Sequence, residues 1–153
     1  MHWHYRDPAL LWLLPLAYAL HILEEWFAGF PEWVALVVGE PLPRTAFVVI
    51  NALAMTAMVA AIRASIARED YGWMAIASAS ILFVNAFAHM LGAVVTRSYS
   101  PGLITGVVFY LPLAGLVLLR ASSQAQRGAF ARGIAVGVAI HAGVFVLAYA
   151  LTG

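Results

Sequence analysis

The sequence contains no cysteine and no lysine, and few charged residues of any kind. Charged residues make up 10% of the 153-residue chain, against about 25% in soluble globular domains. The missing cysteine excludes disulfides, iron–sulfur clusters and thiolate-held zinc, so any metal must be held by His, Asp/Glu, Asn or backbone oxygens. The net charge of +1 comes with no basic patch of the kind that nucleic-acid binding requires. We therefore expect no nucleic-acid partner.

Long apolar stretches dominate the rest of the chain, which is 64% hydrophobic. Each of five stretches has roughly the 20 residues needed to cross a bilayer core about 30 Å thick. The sequence therefore predicts an all-α, polytopic membrane helical bundle that forms a single domain, 1–153, with the lipid bilayer around it. The expected transmembrane helices are approximately 9–28, 45–66, 71–95, 103–119 and 133–151.

The connecting segments complete this prediction. Residues 31–43 are too short to span, and Trp33 indicates a short interfacial helix there. Pro15 and Pro112 lie inside spans and are expected to kink them, which membrane helices tolerate. Residues 120–132 form the one clearly hydrophilic loop.

The distribution of arginine predicts how the bundle is oriented. With five spans, the N-terminal face collects six arginines and the opposite face two. Positive residues favour the cytoplasmic side, so we expect a multi-pass protein of the cell (inner) membrane with its N-terminus in the cytoplasm. Ala17-Tyr18-Ala19 resembles a signal-peptide cleavage site. Because the charged motif follows directly, we expect the first span to be retained.

Three polar residues stand out inside the first span: His21, Glu24 and Glu25. A carboxylate in hydrocarbon is costly, on the order of 2.5 to 3.5 kcal/mol for Asp at a helix centre, and needs a partner. The spacings i,i+3 and i,i+4 from His21 bring both glutamates to the face of the histidine. In the third span, Asn85 and His89 form a second i,i+4 pair.

The polar residues of different spans are expected to share one layer. At 1.5 Å per residue, His21 and His89 lie roughly 10 and 9 Å below the outer ends of their spans, and Asn85 about 15 Å. By the same rise, Asn51 lies roughly 9 Å and His141 about 15 Å deep. Inward-facing His and carboxylate pairs at matching depth are the usual form of metal sites in helical bundles. The alternatives are glutamates that reach the headgroups and an Asn/His pair that only joins helices by hydrogen bonds.

The motifs together resemble a known family. His21-x-x-Glu24-Glu25, then Asn85-x-x-x-His89, then Tyr99-x-Pro101-Gly102 are similar to the signature of the HXXEE membrane-protein family. The resemblance extends from the first span to the start of the fourth. It implies that the family's motif positions fall on these eight residues. The family is of unknown function, so the resemblance implies no reaction.

The residue types themselves indicate the chemistry. Histidines and carboxylates without a thiol suit Zn, Fe or Mn, and His21, Glu25 and His89 are the predicted ligands of a divalent metal. Glu24 would be a general base or would support a ligand, and Asn85 would orient a ligand or the substrate. Tyr99 belongs first to a turn, and could also act as an acid or a substrate clamp. Asn51 and His141 are equally compatible with packing roles.

We therefore predict a small integral membrane enzyme, a metal-dependent hydrolase or isomerase, that acts on a lipophilic small molecule in the outer half of the bilayer. Without a metal, the same residues could transfer protons. An ion- or proton-coupled transporter subunit is the first alternative, and at this size it would have to form a homo-oligomer. A non-catalytic membrane assembly protein is the second.

Overall fold

The computed structural model describes residues 5–152, and helices account for most of them. No strand occurs in this part of the chain. The helices are α1 (Pro8–Phe27), α2 (Phe30–Trp33), α3 (Ala35–Val38), α4 (Arg44–Ala67), α5 (Gly72–Thr96), α6 (Leu103–Thr105), α7 (Leu111–Gln124) and α8 (Arg127–Ala150). A 3₁₀ turn (Glu69–Tyr71) precedes α5, and a π turn (Gly106–Tyr110) joins α6 to α7.

Five helical segments are long and apolar enough to cross a membrane, which confirms the predicted fold class. They are Pro8–Phe27, Arg44–Ala67, Glu69–Thr96, Leu103–Gln124 and Arg127–Ala150. Their ends follow local chemistry. At the start of α1, for example, the Asp7 carboxylate accepts a hydrogen bond from Leu10 N at 3.2 Å, and Pro8 occupies the first helical position, where its missing N–H costs nothing.

Two connections differ from the sequence-based prediction. The expected hydrophilic loop at 120–132 is almost entirely helical, because α7 continues to Gln124 and α8 begins at Arg127. Arg, Ala and Gln are good helix formers, so the fall in hydropathy marks the end of the apolar segment and not the end of the helix. The expected interfacial helix is two single turns, α2 and α3, between Gly29 and Gly39, which both have positive φ.

In the helical segment Leu103–Gln124, the backbone is more loosely wound just before Pro112. Proline lacks an N–H and its ring collides with the carbonyl four residues earlier, which here belongs to Val108. Residues Gly106–Tyr110 form a π turn, in which hydrogen bonds run from i to i+5. The same turn directs Tyr110 inward, where it is 1% exposed.

The core lies where α1, α4, α5 and α7 meet. Its largest fully buried apolar side chains are Leu11, Leu14, Ile62, Leu82 and Val117. Helix α5 contacts every other long helix and forms the centre of the bundle. By contrast, α8 packs mainly against α5 and makes few contacts with α4. One long side of the bundle, between α4 and α8, is therefore not closed by helix packing.

Two glycines allow α8 to approach α5 closely. A Cβ at Gly133 would lie 2.6 Å from Cβ of Ile76, and one at Gly137 would lie 2.6 Å from the carbonyl oxygen of Ala77. Small residues four apart commonly bring membrane helices together in this way. The absence of side chains at these two positions therefore determines how α8 is held.

Gly137→Leu is expected to loosen α8 and to destabilise the protein by about 1–3 kcal/mol, the usual cost of overpacking. Gly143→Leu on the same helix provides the control, because a Cβ at Gly143 meets nothing within 4 Å. The measurement is thermal unfolding of both variants in the same detergent. Equal stability of the two variants would contradict this account of the α5–α8 contact.

Candidate functional site

Two histidines and a glutamate meet between α1 and α5, near the end of the bundle that carries α2 and α3. Glu25 Oε1 lies 3.4 Å from Nε2 of His21 and 3.4 Å from Nε2 of His89. The three residues are 5% exposed or less, and their ligand atoms all lie within 4.8 Å of one another. The structure thus brings together the three predicted ligands in a group that could hold a metal ion.

Hydroxyl groups hold the far nitrogen of each histidine ring. Nδ1 of His21 lies 2.8 Å from Oγ1 of Thr105, and Nδ1 of His89 lies 3.1 Å from Oγ of Ser100. Thr105 can donate its own proton to the carbonyl oxygen of Gly102, 3.4 Å away. When His21 carries a proton on Nδ1 alone, the Thr105 oxygen accepts this N–H and the lone pair of the ring lies on Nε2. A ring nitrogen bound to a second group in this manner is the usual arrangement of a metal-ligating histidine.

In that tautomer the Nε2 atom of His21 presents its lone pair to the Glu25 carboxylate. Nε2 of His21 makes no hydrogen bond within the described residues, and 3.4 Å is longer than the 2.7–2.9 Å of a charge-assisted hydrogen bond. Ligands at about 2.0–2.1 Å around a tetrahedral zinc ion lie about 3.3 Å from one another. The two 3.4 Å separations are close to this ligand–ligand distance, so the group could hold a metal ion.

Glu24 serves a different purpose from its neighbour Glu25. Its Oε1 accepts hydrogen bonds from the backbone N–H groups of Gly102 (3.1 Å) and Ile104 (3.0 Å), and its Oε2 from that of Thr105 (2.7 Å). Oε1 also accepts from the hydroxyl of Tyr99. The three backbone donors lie at the start of α6, where helical N–H groups have no internal partner. The contacts favour the supporting role for Glu24 over the role of general base.

The turn that Glu24 holds covers the histidines. Gly102 has φ +99°, and a Cβ there would lie 2.6 Å from Cε1 of His21 and 2.8 Å from Cε1 of His89. No other residue fits, both because of the backbone conformation and because of the space. The sequence-based view of Tyr99–Gly102 as a turn and helix start is thus incomplete, since the turn also packs directly on the candidate ligands.

Tyr99 lies outside the long helices and is 45% exposed. Burial of its hydroxyl and the Glu24 carboxylate together raise the pKa of Tyr99 to about 12. The phenol therefore keeps its proton over the ordinary pH range, and its O–H group donates a hydrogen bond to Glu24. Its predicted role as an acid or a substrate clamp stays a prediction.

The other predicted site residues lie near the group but not in it. Asn85 Oδ1 has no hydrogen-bond partner in the described part of the chain. Asn51 accepts a 2.6 Å hydrogen bond from the hydroxyl of Tyr18 and donates to the carbonyl of Phe47. His141 on α8 faces the same cavity as both asparagines. The N-terminal residues His2 and His4 lie outside the described residues.

Sequence reasoning missed two tyrosines of the site. The ring of Tyr110 lies 4.4 Å from that of His21, centroid to centroid, and its buried hydroxyl finds no partner among residues 5–152. Tyr18 lies three residues before His21 and seven before Glu25, so helical spacing placed it on their face and could have identified it. Tyr110 follows a π turn, which helical spacing does not anticipate.

A cavity of about 540 Å³ extends from the cluster along α5, between α4 and α8. This volume is typical of small-molecule sites. At one end it is lined by Tyr18, His21, Glu25, Asn51, Asn85, His89 and Tyr110, and most of the remaining lining is apolar. The lining residues of α4 recur at helical spacing from Phe47 to Ala61, and those of α5 run from Trp73 to Val95.

Helices α2 and α3 close the polar end of this cavity. The ring of Phe30 lies 5.7 Å from that of His89, and Trp33 packs so closely on α5 that a Cβ at Gly92 would come within 2.6 Å of its ring. The segment is attached from outside by Glu32, whose Oε1 lies 2.7 Å from Nη2 of Arg44. The candidate ligands are thus covered on both sides, by this segment and by the 99–102 turn.

Fold and site together define a class: a small bundle of apolar helices of membrane-spanning length, with a buried His/Glu group beside an apolar cavity. The family model described as "Protein of unknown function with HXXEE motif" matches residues 12–117, and the chain belongs to this family. The HXXEE motif falls on His21–Glu25, and the match ends within α7. No curated protein and no solved structure matches the chain.

Proposed function

We propose that the protein is a membrane-embedded, metal-dependent enzyme whose divalent ion (Zn, Fe or Mn) is held by His21, Glu25 and His89. The single observation that supports this most strongly is the arrangement of the three ligand atoms. Two imidazole nitrogens lie 3.4 Å from one carboxylate oxygen, with the far nitrogens bonded to hydroxyls. Such a donor set calls for a cation between the atoms.

The proposed ion would have three protein ligands and one open position. An ion bound in this way acts as a Lewis acid toward water or a substrate oxygen. The chain's own residues would do the rest. Thr105 and Ser100 fix the ring orientations of the two histidines, and the 99–102 turn excludes water from above. Asn85, whose carbonyl oxygen is unpaired among the described residues, orients the substrate. Hydrolysis and isomerisation of a lipophilic molecule both fit this arrangement.

The proposed location is the inner cell membrane, with the N-terminus in the cytoplasm and the site in the outer half of the bilayer. Support comes from five apolar helices of suitable length and from the excess of arginine on the N-terminal face. The alternative of a purely structural polar layer would require every buried polar atom to be paired. The unpaired atoms of His21, Asn85 and Tyr110 in the described structure argue against it.

Element analysis of the purified protein tests the metal. We expect about one divalent ion per chain in wild type prepared without chelator and offered Zn²⁺, Fe²⁺ or Mn²⁺, and almost none in Glu25→Gln or His89→Ala. Thr105→Val removes only the hydroxyl that orients His21, and is expected to weaken metal binding about 10–100-fold.

His141→Ala and Glu32→Gln are the matched controls, a cavity histidine and a surface carboxylate outside the group. Both should retain the ion. Wild-type protein without stoichiometric metal under these conditions would refute the metalloenzyme proposal and leave proton transfer by the same residues as the explanation of the site. Loss of metal in His141→Ala would show that the ligand set is different.

A further inference from the structure

We propose that the substrate is a single-chain amphiphile with an uncharged, oxygen-bearing head group, such as an alcohol, aldehyde or ester of one long acyl or isoprenoid chain. The head would lie at the His21–Glu25–His89 group and the tail along the apolar cavity between α4, α5 and α8. As a statement about the substrate this inference rests on the proposed function. As a statement about binding it can be tested without it.

The length of the cavity indicates a chain and not a compact molecule. From Asn51 to Ala61 on α4 the lining covers about 15 Å, and from His89 to Trp73 on α5 about 24 Å, at 1.5 Å per residue. One leaflet of a bilayer core about 30 Å thick contains lipid chains about 15 Å long. The cavity is therefore elongated along the direction of the lipid chains and is long enough to take one extended tail, with its polar end about 10 Å below the expected outer ends of the spans.

The small residues of α4 provide the width. Ala54, Ala57 and Ala61 face the cavity at successive turns, where leucines would fill the space. On the opposite side, α8 contributes Ile140, Val144 and Phe145 but makes few contacts with α4. A chain can therefore enter sideways, between α4 and α8, without leaving the hydrocarbon.

The polar end indicates the head group. Three buried polar atoms without partners in the described residues face it: the indole N–H of Trp33, the hydroxyl of Tyr110 and Oδ1 of Asn85. The first is a donor, the hydroxyl can donate or accept, and the amide oxygen accepts. No arginine is among the described lining residues, and the chain has no lysine. A phosphate or sulfate head would thus meet no fixed cation other than the proposed metal, whereas a neutral oxygen-bearing head can be fully hydrogen-bonded.

Photolabelling of the full-length protein in lipid nanodiscs tests the proposal. The probe is a long-chain primary alcohol with a diazirine near the tail end, and the rival probe is the same chain with a phosphate monoester head. We expect the alcohol to label cavity residues at the far end, near Met58, Ala61 and Ile81, and unlabelled alcohol to compete. The phosphate should compete roughly tenfold less well or worse, since it lacks a paired charge.

Ala61→Phe places a ring in the tail path, and Ala60→Phe adds the same ring one residue away at an exposed position outside the cavity lining. Overpacking should reduce labelling about tenfold in the first variant and leave it unchanged in the second. If Ala61→Phe does not fold, Ala57→Phe and the labelling map of wild type decide the question.

Equal labelling in the two variants, labelling confined to lipid-facing positions, or preference for the phosphate probe would each overturn the inference. Metal content is measured on the same samples, so that the two proposals can fail separately. Labelling at the expected residues without metal would contradict only the proposed enzyme, and metal without labelling would contradict only the proposed substrate.

Discussion

Gly102→Ala is expected to abolish metal binding while the helices remain in place. The new Cβ would lie 2.6 Å from Cε1 of His21 and 2.8 Å from Cε1 of His89, distances that require one or both rings to move. Such a shift would disturb the contacts of the rings with Thr105 and Ser100. Since φ is +99°, the alanine is also strained, by about 1–2 kcal/mol.

Gly39→Ala separates the two effects. Gly39 has nearly the same backbone conformation, φ +94°, but a Cβ there meets nothing within 4 Å. We expect similar small losses of stability from backbone strain in both variants, and loss of the metal only in Gly102→Ala. The measurements are thermal unfolding and element analysis of the purified proteins. Full metal content in Gly102→Ala would show that the 102 backbone does not position the histidines as described.

The second large effect is expected from Glu24→Gln, which keeps the shape of the side chain and removes its charge. Four donors converge on this carboxylate: the N–H groups of Gly102, Ile104 and Thr105 and the hydroxyl of Tyr99. A glutamine offers one accepting oxygen, and its NH₂ group would face a donor. Because hydrogen bonds to charged groups contribute about 1.5–3 kcal/mol each, we expect a loss of about 3 kcal/mol or more in the free energy of unfolding.

Glu32→Gln is the control, since that exposed carboxylate pairs with Arg44 at the surface and contributes little to stability. The same experiment decides between the two roles considered for Glu24. A general base could be replaced by glutamine with loss of activity and unchanged stability. A residue that caps α6 cannot be replaced by glutamine without a loss of stability. The loss of the cap should also weaken metal binding, because Thr105 and Gly102 both contact His21. Unchanged stability and unchanged metal content would contradict the capping role.

The sequence was sufficient to predict the helices and the three candidate ligands, because both depend on short-range rules. Membrane-length apolar runs give the helices, and the spacing of His21 and Glu25 gives the shared face. His89 was identified by comparing the expected depths of polar residues in the membrane, since residues of different spans can meet only at similar depths. The sequence could not show that Glu24 caps α6, because nothing in it distinguishes the two adjacent glutamates. The distinction depends on which of them contacts the backbone at 102–105.

The cavity was also beyond sequence analysis. The cavity exists because α8 packs on α5 through Gly133 and Gly137 and makes few contacts with α4. Hydropathy does not indicate which pairs of helices pack against each other. The role of Gly102 was missed for a related reason. In the sequence, the Pro-Gly turn alone explains why a glycine stands at position 102. Only the structure shows a second reason, which is that the rings of His21 and His89 leave no room for a side chain there.

The π turn at Gly106–Tyr110 changes the phase of the helix that contains it. Thr105 and Tyr110 both contact His21, although residues five apart in a regular α-helix point about 140° away from each other at 3.6 residues per turn. Compared with a regular α-helix, this segment contains one additional residue in the turn between Thr105 and Tyr110. In this chain, i,i+4 spacing alone does not pair Thr105 with Tyr110, and the faces of the helix must be assigned separately on either side of the turn.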